Sequence, residues 1–391
     1  MGRGARRQRT PARTVAKVVA VTVVALALVT GVSVTLVYRH LEGNLRHLDL
    51  APQLGQDRPE QPEVEGPQDP LNVLVLGSDS RDCDGCGLDS ASGGGSDTTI
   101  LFHLSADRQS AYGVSIPRDS LVDRPTCFTE DGGTIPGERG AMWNAAFNIG
   151  GPACTQRQVE QVTGVHVDHV VVVDFGGFKK MVDAVGGVEV CVPYELHSDK
   201  GDITIPAGTH RMMGEQAEDY IRIRYGVGDG TDLGRIKRQQ AFMAALAHKV
   251  VAKGTLASPV RLVRFLDAAT ESLATDFGSV KDLAELGLQL KGIGEGRIRF
   301  LTVPNQLSTA HEGRVEWLPQ ARTLWERLRF DRPLGSLRDG SIGVGDAGGT
   351  QEHSGSPGPS GDLGPSDAAT SGDDSSLDAD PDDLAAAGLC T

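Results

Sequence analysis

Residues 169–192 read HVVVVDFGGFKKMVDAVGGVEVCV, and this stretch contains a complete strand–helix–strand unit. Its first part, 169–174, is a short apolar run that predicts a buried strand. In 175–185 the large apolar residues recur at helical spacing, which predicts an amphipathic helix. The pair Gly186–Gly187 ends that helix, and 188–193 is again typical of a strand. The stretch therefore predicts an α/β protein.

The same alternation extends to both sides of this unit. Apolar runs bounded by turn residues predict three further strands, at 72–77, 98–104 and 110–116. Helical spacing and composition predict three further helices, at 155–163, 214–224 and 235–251. The second and third of these strands are separated only by SADRQ, which favours a hairpin. We therefore expect a three-layer α/β/α sandwich with a mixed central sheet.

An uncharged apolar segment, Val18–Tyr38, precedes the α/β region. It has about the 20 residues that a helix needs to cross a bilayer. Because residues 1–17 are rich in Arg and Lys, the positive-inside rule predicts a cytoplasmic N-terminal tail and an extracellular remainder after Arg39. The alternative is a cleaved signal peptide. We favour a single-pass anchor, because the apolar run is long and no A-x-A cleavage site follows it.

Composition predicts one large domain with extended flanks. Residues 39–71 are predicted to be an extracellular linker, and the Pro-, Gln- and Glu-rich part at 50–70 to be solvated. Residues 335–391 are rich in Gly, Ser and Asp and predict a disordered acidic tail. The domain is then 72–334. Much of the net charge of −14 lies in these flanks, so it does not exclude an anion-binding cleft.

The six cysteines are expected to be oxidised where geometry allows, since an exported domain meets an oxidising environment. Cys83–Cys86 is a CxxC motif, for which a small loop disulfide is favoured over a redox or zinc half-site, because no second CxxC follows. Cys127 and Cys154 flank MWNAAFNIGG and could be joined. Cys191 is predicted to be a buried free thiol, and Cys390 could also be free.

Residues 222–240, RIRYGVGDGTDLGRIKRQQ, are strongly basic in an acidic protein. Arg222 and Arg224 alternate as they would at the end of an extended strand. Arg235 and Arg238 lie near the start of the next helix, where positive charge costs stability unless an anion is bound. A solvated helix face is the alternative, but it usually interleaves Glu with Arg at i,i+4. Because arginine binds phosphate bidentately, we expect an anion site.

Carboxylates lie upstream of this basic segment. Asp79 and Asp97 each follow or precede a predicted strand within a Gly/Ser-rich loop. Two such carboxylates could bind Mg2+, although ordinary turn aspartates are the alternative. Arg118 comes directly after the strand that Pro117 ends, and ligands tend to bind at strand ends. Carboxylates for a cation and arginines for phosphates are what phosphoryl transfer requires.

Six motifs occur in order: NVLVLGSDSR, SDTTILFHLS, SIPRDS, WNAAFNIGG, VDFGGFKKMVDAVGGVEV and GEQAEDYIRIRYGVGDGTDLGRIKRQQ. With the N-terminal apolar segment, they resemble the LytR-CpsA-Psr family over residues 72–251, with a looser continuation to 334. The resemblance implies an enzyme that transfers a glycopolymer, such as teichoic acid, capsular polysaccharide or arabinogalactan. The donor would be a polyprenyl-pyrophosphate carrier and the acceptor peptidoglycan.

The resemblance also implies roles for individual residues. Asp79 and Asp97 would position Mg2+ and, with Arg118 and Arg224, form the catalytic set. The expected pyrophosphate-binding residues are Arg81, Arg118, Arg222, Arg224, Arg235, Arg238 and Gln239. The expected lining of a polyprenyl tunnel is Phe147, Val171, Phe175 and Phe178, each of which could equally be ordinary core. At Gly95 the chain departs from the family pattern, where many members carry Arg; Arg81 could take that role.

The expected reaction is attack by a peptidoglycan sugar hydroxyl, on N-acetylmuramic acid, at the sugar-linked phosphorus, with polyprenyl phosphate leaving. Two rivals remain open. One is a hydrolase that releases the polymer to water, and the other is a non-catalytic, membrane-anchored regulator that binds polyprenyl lipids. Nucleic acid is not an expected partner, because the sequence contains no helix-turn-helix pattern or basic stripe suited to DNA. The chain also contains no P-loop, HExxH or GxSxG motif.

Overall fold

The computed structural model describes residues 11–78, 95–198, 203–223, 232–251, 255 and 258–345. The α-helices in these residues are Pro11–Asn44 (α1), Ala51–Leu54 (α2), Ala145–Thr163 (α3), Phe175–Ala184 (α4), Gly214–Arg222 (α5), Asp232–Val251 (α6), Pro259–Ser272 (α7), Val280–Ile293 (α8) and Pro319–Arg329 (α9).

The strands in the same residues are Arg46–His47 (β1), Leu71–Ser78 (β2), Ser96–Leu104 (β3), Ala111–Ile116 (β4), Leu121–Arg124 (β5), Cys127–Phe128 (β6), Thr134–Ile135 (β7), Glu138–Met142 (β8), His169–Asp174 (β9), Val188–Val192 (β10), Leu196–Ser198 (β11), Ile203–Ile205 (β12), Gly208–Met212 (β13), Leu273–Thr275 (β14), Ile298–Thr302 (β15), Asn305–Leu307 (β16), Val315–Trp317 (β17) and Ile342–Gly343 (β18).

Eight of these strands form a central mixed sheet in the order β1-β14-β9-β2-β3-β4-β15-β18. The pairs β1–β14, β9–β2 and β4–β15 are parallel. The pairs β14–β9, β2–β3, β3–β4 and β15–β18 are antiparallel. The predicted hairpin between β3 and β4 is therefore confirmed, and so is the mixed sheet.

Helices cover both faces of the sheet. Because successive side chains of a strand point to opposite faces, Val170 and Val172 of β9 pack into the cluster that includes α3 and α9, while Val171 lies in a cluster on the other face. On that other face, a neighbouring cluster joins β15 to α6 and α8. The predicted three-layer α/β/α sandwich is confirmed.

The strand predicted at 188–193 forms, but outside the central sheet. It is β10, and it pairs antiparallel with β13 alone. Val188, Val190 and Val192 are buried on one side, in a second core shared with α4, α5 and α6. Antiparallel strands commonly have one face packed against a core and the other face exposed to solvent. This smaller unit lies beside the sheet and carries the segment that leads into α6.

Part of the segment predicted to be an extracellular linker, 39–71, belongs instead to the folded domain. Arg46 and His47 form the edge strand β1, and Leu50 and Leu54 are buried in the main core. Arg58 donates hydrogen bonds to the buried carboxylate of Glu160 on α3. The prediction is wrong for residues 46–58, because the Pro- and Gln-rich composition conceals two core leucines and an arginine whose partner is more than 100 residues away.

The C-terminal boundary also lies further along than predicted. After α9 the chain returns to the sheet, where β18 pairs with β15 and Val344 is fully buried. The predicted disordered tail therefore begins too early at 335, and residues 346–391 lie outside the described residues. At the other end, α1 contains the predicted span 18–38. Within the described chain, α1 is the helix that is long and apolar enough to cross a membrane.

Candidate functional site

The candidate site lies at one edge of the central sheet, meaning the side at which the central strands begin or end. Because β2, β3 and β4 are successively antiparallel, the end of β2, the start of β3 and the end of β4 meet at the same edge. Asp97 is the second residue of β3, and Arg118 lies two residues beyond β4. Asp79 and Arg81 lie outside the described residues. The topology thus brings Asp97 and Arg118 together from separate strands.

Asp97 and Arg118 are directly paired. Arg118 Nη1 donates to Asp97 Oδ1 at 2.5 Å, and both side chains are about one-fifth exposed. Arg118 Nε lies 3.5 Å from Asp119, whose carboxylate also lies 3.4 Å from Arg314 Nη1. A guanidinium held between two carboxylates has a fixed position, so Arg118 is oriented before any ligand binds.

Arg314 was not identified from sequence. It lies 195 residues from Asp119, in the hairpin between β16 and β17, and no local motif marks it. Only the tertiary structure reveals Arg314, because a parallel β-bridge between Ser120 and Val315 brings that hairpin against the end of β4.

The first turns of α6 add two of the predicted residues. Arg235 is 2% exposed, and its Nη2 lies 3.5 Å from the carbonyl oxygen of Asp97. Gln239, one helical turn later on the same face, accepts from Thr98 Oγ1 at 3.4 Å and donates to the carbonyl of Ile221 at 3.3 Å. The described site is therefore Asp97, Arg118, Arg235 and Gln239.

Arg238 occupies a different position from Arg235. It is 1% exposed and donates to the carbonyl oxygen of Ile223, just after α5. Its Nε and Nη1 have no hydrogen-bond partner among the described residues, and neither has the buried hydroxyl of the neighbouring Tyr220. Burial lowers the pKa of Arg238 and raises that of Tyr220, because both charged forms lose hydration. Arg238 is thus a buried cation beneath the end of α5.

Arg222 is not extended, contrary to the prediction. It is the last residue of α5, and its Nη1 lies 2.5 Å from Glu218 one turn earlier. Its guanidinium also lies 4.8 Å from the centre of the Phe175 ring. The i,i+4 pairing that marks a helix face therefore describes Arg222, because the helix predicted at 214–224 extends as far as this residue. Arg224 lies outside the described residues.

The predicted tunnel residues are divided among three clusters. Phe175 and Phe178 belong to the second core, where Phe178 packs 5.4 Å from Phe242 between ring centres. Val171 lies on the sheet face that α8 covers. Phe147 lies in the main core on the opposite face. The structure brings Phe175 and Phe178 together and separates Phe147 from them.

The described donor set is compatible with Mg2+. Among the described residues there is no group of three or more His, Cys, Asp or Glu side chains that could hold a metal alone. Mg2+, however, commonly uses one or two carboxylates and takes its other oxygens from phosphate and water. The partly exposed Asp97 carboxylate can supply one such ligand.

Two cysteine predictions are tested by the structure. Cys127 and Cys154 form a disulfide that ties β6 to α3, as their positions around MWNAAFNIGG indicated. Cys191 is also disulfide-bonded, so the prediction of a free thiol is wrong. Its side chain on β10 is half-buried. Cys83, Cys86 and Cys390 also lie outside them.

Comparison with known proteins identifies the family. The model of the LytR_cpsA_psr family matches residues 37–327. The chain belongs to the LytR-CpsA-Psr family. That match begins within α1, in agreement with the inclusion of residues 46–58 in the fold.

Two relatives of this LytR-CpsA-Psr protein have names that refer to cell-wall synthesis or to cell-wall polymers. The probable cell wall biosynthesis protein LcpB of Corynebacterium glutamicum is 34% identical over 230 residues, which cover 56% of this chain and 52% of LcpB. The polyisoprenyl-teichoic acid–peptidoglycan teichoic acid transferase TagU of Enterococcus faecalis is 31% identical over 224 residues, covering 57% and 67%. The chain thus spans about half the length of LcpB and two thirds of TagU.

The fold matches solved members of the family. A LytR-Csp2A-Psr enzyme from Actinomyces oris superposes with a TM-score of 0.56 at 20% identity, and the match covers 73% of this chain and 96% of that one. At that identity the likeness shows the fold alone.

Proposed function

We propose that this protein transfers a cell-wall glycopolymer from a polyprenyl-pyrophosphate carrier to peptidoglycan, on the outer side of the membrane. Membership of the LytR-CpsA-Psr family supports the class of reaction, and the name of TagU supports a wall polymer as the cargo. The pairing of a carboxylate with arginines at one sheet edge supports phosphoryl-transfer chemistry.

The position of the membrane helix carries the proposal. The chain passes from α1 almost directly into β1, which is parallel to β14, and β14 is antiparallel to β9. Because β9 is parallel to β2, the start of β1 lies at the same sheet edge as the end of β2 and the start of β3. At about 4.8 Å per strand, β1 and β3 are roughly 19 Å apart. A membrane-embedded donor would therefore approach the edge that holds Asp97 and Arg118.

The chemistry follows from the charges at that edge. Arg118 and Arg235 would donate hydrogen bonds to the pyrophosphate oxygens and stabilise the negative charge that develops as the bond to polyprenyl phosphate breaks. The acceptor hydroxyl oxygen would form the new bond to the sugar-linked phosphorus, and a carboxylate, Asp79 or Asp97, would take its proton. When bound, Mg2+ would be held by Asp97, with Asp79 as the second expected ligand, and would neutralise phosphate charge.

The test uses the full chain in bilayer nanodiscs. We would add Mg2+ and a polyprenyl-pyrophosphate saccharide, with and without peptidoglycan oligomers, and detect polyprenyl phosphate and linked glycan by mass spectrometry. Arg118→Ala should lower transfer by about 10²- to 10³-fold, as expected for loss of a transition-state donor. Arg322→Ala, which removes an exposed arginine on α9, is the matched control and should retain activity.

The outcomes separate the proposal from its rivals. Linked glycan that requires both Mg2+ and Arg118 supports a transferase. Polyprenyl phosphate released at the same rate with and without acceptor would instead indicate a hydrolase. Donor binding without turnover, over a range of acceptors and divalent ions, would indicate a lipid-binding regulator. Equal turnover by Arg118→Ala and Arg322→Ala would contradict the assignment of the site.

A further inference from the structure

Two helices reach the edge of the sheet side by side. The membrane helix α1 leads into β1, and α7 leads into β14. These strands are parallel neighbours, with Arg46 opposite Ala274. The two helices therefore approach the same sheet edge from the same direction, since each directly precedes its strand.

Side-chain contacts fix the register of the two helices. His40 Nε2 and Asn44 Nδ2 both lie within hydrogen-bond distance of Asp267 Oδ1, at 2.9 and 3.1 Å. Leu41 is buried in a cluster against which Leu266 packs and which also includes the start of α8. The last turns of α1 are thus docked along the second half of α7. The first half of α7 must then point back along α1, towards the membrane.

The distance along the helix can be estimated. Val260 lies seven residues before Asp267, and a helix rises about 1.5 Å per residue. The first turn of α7 is therefore about 10 Å nearer the membrane than the contact with His40. This places it level with the outer end of the apolar segment of α1.

The first turns of α7 expose an unusual combination of side chains. Val260 is 62% exposed and Val263 is 40% exposed. Arg261 and Arg264 are exposed beside them, and residues 259–266 contain no Asp or Glu. The positive end of the helix dipole adds to the same charge. Apolar side chains beside arginines are typical of helices that bind at a bilayer interface, and anionic lipids attract them.

We propose that residues 259–264 dock on the outer surface of the bilayer that α1 spans, with the valines at the boundary of the acyl chains and the arginines on anionic lipid phosphates. Two attachment points, α1 and the start of α7, would fix the tilt of the domain. The edge that carries Asp97 would then be held facing the bilayer. The proposal depends on α1 crossing the membrane and not on the transfer reaction, so its failure is separate from that of the proposed function.

The test measures contact between α7 and lipid. A tryptophan is introduced by Val260→Trp in the full chain, in nanodiscs of phosphatidylglycerol and phosphatidylcholine that contain lipid spin-labelled near the headgroup. Leu288→Trp is the matched control, because Leu288 is 64% exposed. The neighbouring Gln289 accepts a hydrogen bond from Arg108 in the β3–β4 turn at 2.9 Å. Leu288 therefore lies towards the sheet edge opposite the one that α1 and α7 approach. The fluorescence of the native tryptophans is measured on the wild-type protein and subtracted.

We expect V260W to be quenched several-fold more strongly than L288W. Adding Arg261→Glu and Arg264→Glu to V260W should reduce this quenching in phosphatidylglycerol bilayers, and high salt should do the same. Equal quenching of V260W and L288W would overturn the proposal. Quenching of V260W that is insensitive to the charge reversals, to salt and to the lipid headgroup would overturn the role given to the arginines.

Discussion

The contact between Arg58 and Glu160 allows a direct test of whether residues 46–58 are part of the folded domain. The Glu160 side chain is 1% exposed, and Arg58 approaches its carboxylate through Nε at 3.0 Å and Nη2 at 2.6 Å. In Arg58→Ala, Glu160 would retain the backbone amide of Val167, at 3.1 Å, and would lose its charged partner. Arg58 also donates to the carbonyl of Val167, which would lose that bond.

The size of the effect follows from burial. Removing one partner of a buried ion pair costs about 3–5 kcal/mol, because the remaining charge stays buried. The Arg58 side chain is 28% exposed, so water can enter part of the space that it leaves. We therefore expect a loss near the lower end, about 3 kcal/mol. For a domain of this size that lowers Tm by roughly 6–12 °C.

The assay is urea and thermal unfolding of the full chain in mild detergent, followed by tryptophan fluorescence. Trp143 and Trp325 lie in the main core that packs against α3 and report on its unfolding. Glu63→Ala, at an exposed position shortly after this segment, is the control and should change stability by less than about 0.5 kcal/mol. Arg58→Ala combined with Glu160→Gln should recover part of the loss. Unfolding of Arg58→Ala at the wild-type midpoint would refute the conclusion that this segment is part of the domain.

Three further substitutions test other contacts. The hydrogen bond from Arg157 lowers the pKa of Asp57, so this contact stabilises the fold above the unfolded pKa of about 3.8 and ceases to do so as pH falls through the lower folded pKa. Asp57→Asn should therefore destabilise the protein at pH 7. A difference in stability between the variant and wild type that persists at pH 2 would contradict this. Arg238→Met should leave stability unchanged or raised in urea unfolding, because a buried guanidinium with unpaired donors costs desolvation; a loss above about 2 kcal/mol would contradict it. Gly177→Ala would bring a Cβ within 2.2 Å of Ser272 Cβ and should cost about 1–3 kcal/mol, whereas an unchanged Tm would show that α4 and α7 can separate freely.

The sequence alone identified the central strands of the sheet and several of the helices. Strands β2, β3, β4 and β9 were predicted within about two residues, because each is an apolar run bounded by Gly, Pro or polar turn residues. Helix α4 was predicted because its apolar residues repeat at helical spacing, and α6 because it is rich in the helix-favouring residues Ala, Gln and Lys. These patterns are local, so they can be read without knowing what packs against them.

Positions of the site residues relative to each other were decided by tertiary structure. The sequence marked Asp97, Arg118 and Arg235, but only the antiparallel order of the strands and the placement of α6 bring them into contact. Arg222 and Arg238 carry the same charge in the sequence and have different environments. One ends α5 beside Glu218, and the other is buried under the carbonyl of Ile223.

The prediction from composition was wrong where a few long-range contacts determine the structure. Residues 46–58 have the composition of a solvated linker, yet Leu50, Leu54 and Arg58 attach the segment to the core and to α3. The partners of these residues are distant in sequence, so no local window contains the signal. The sequence thus determined the membrane helix, the α/β alternation and the residue types of the site, since each depends on local pattern. The tertiary structure decided which residues meet, where the domain begins and which sheet edge lies nearest the membrane helix, because these depend on strand order and burial.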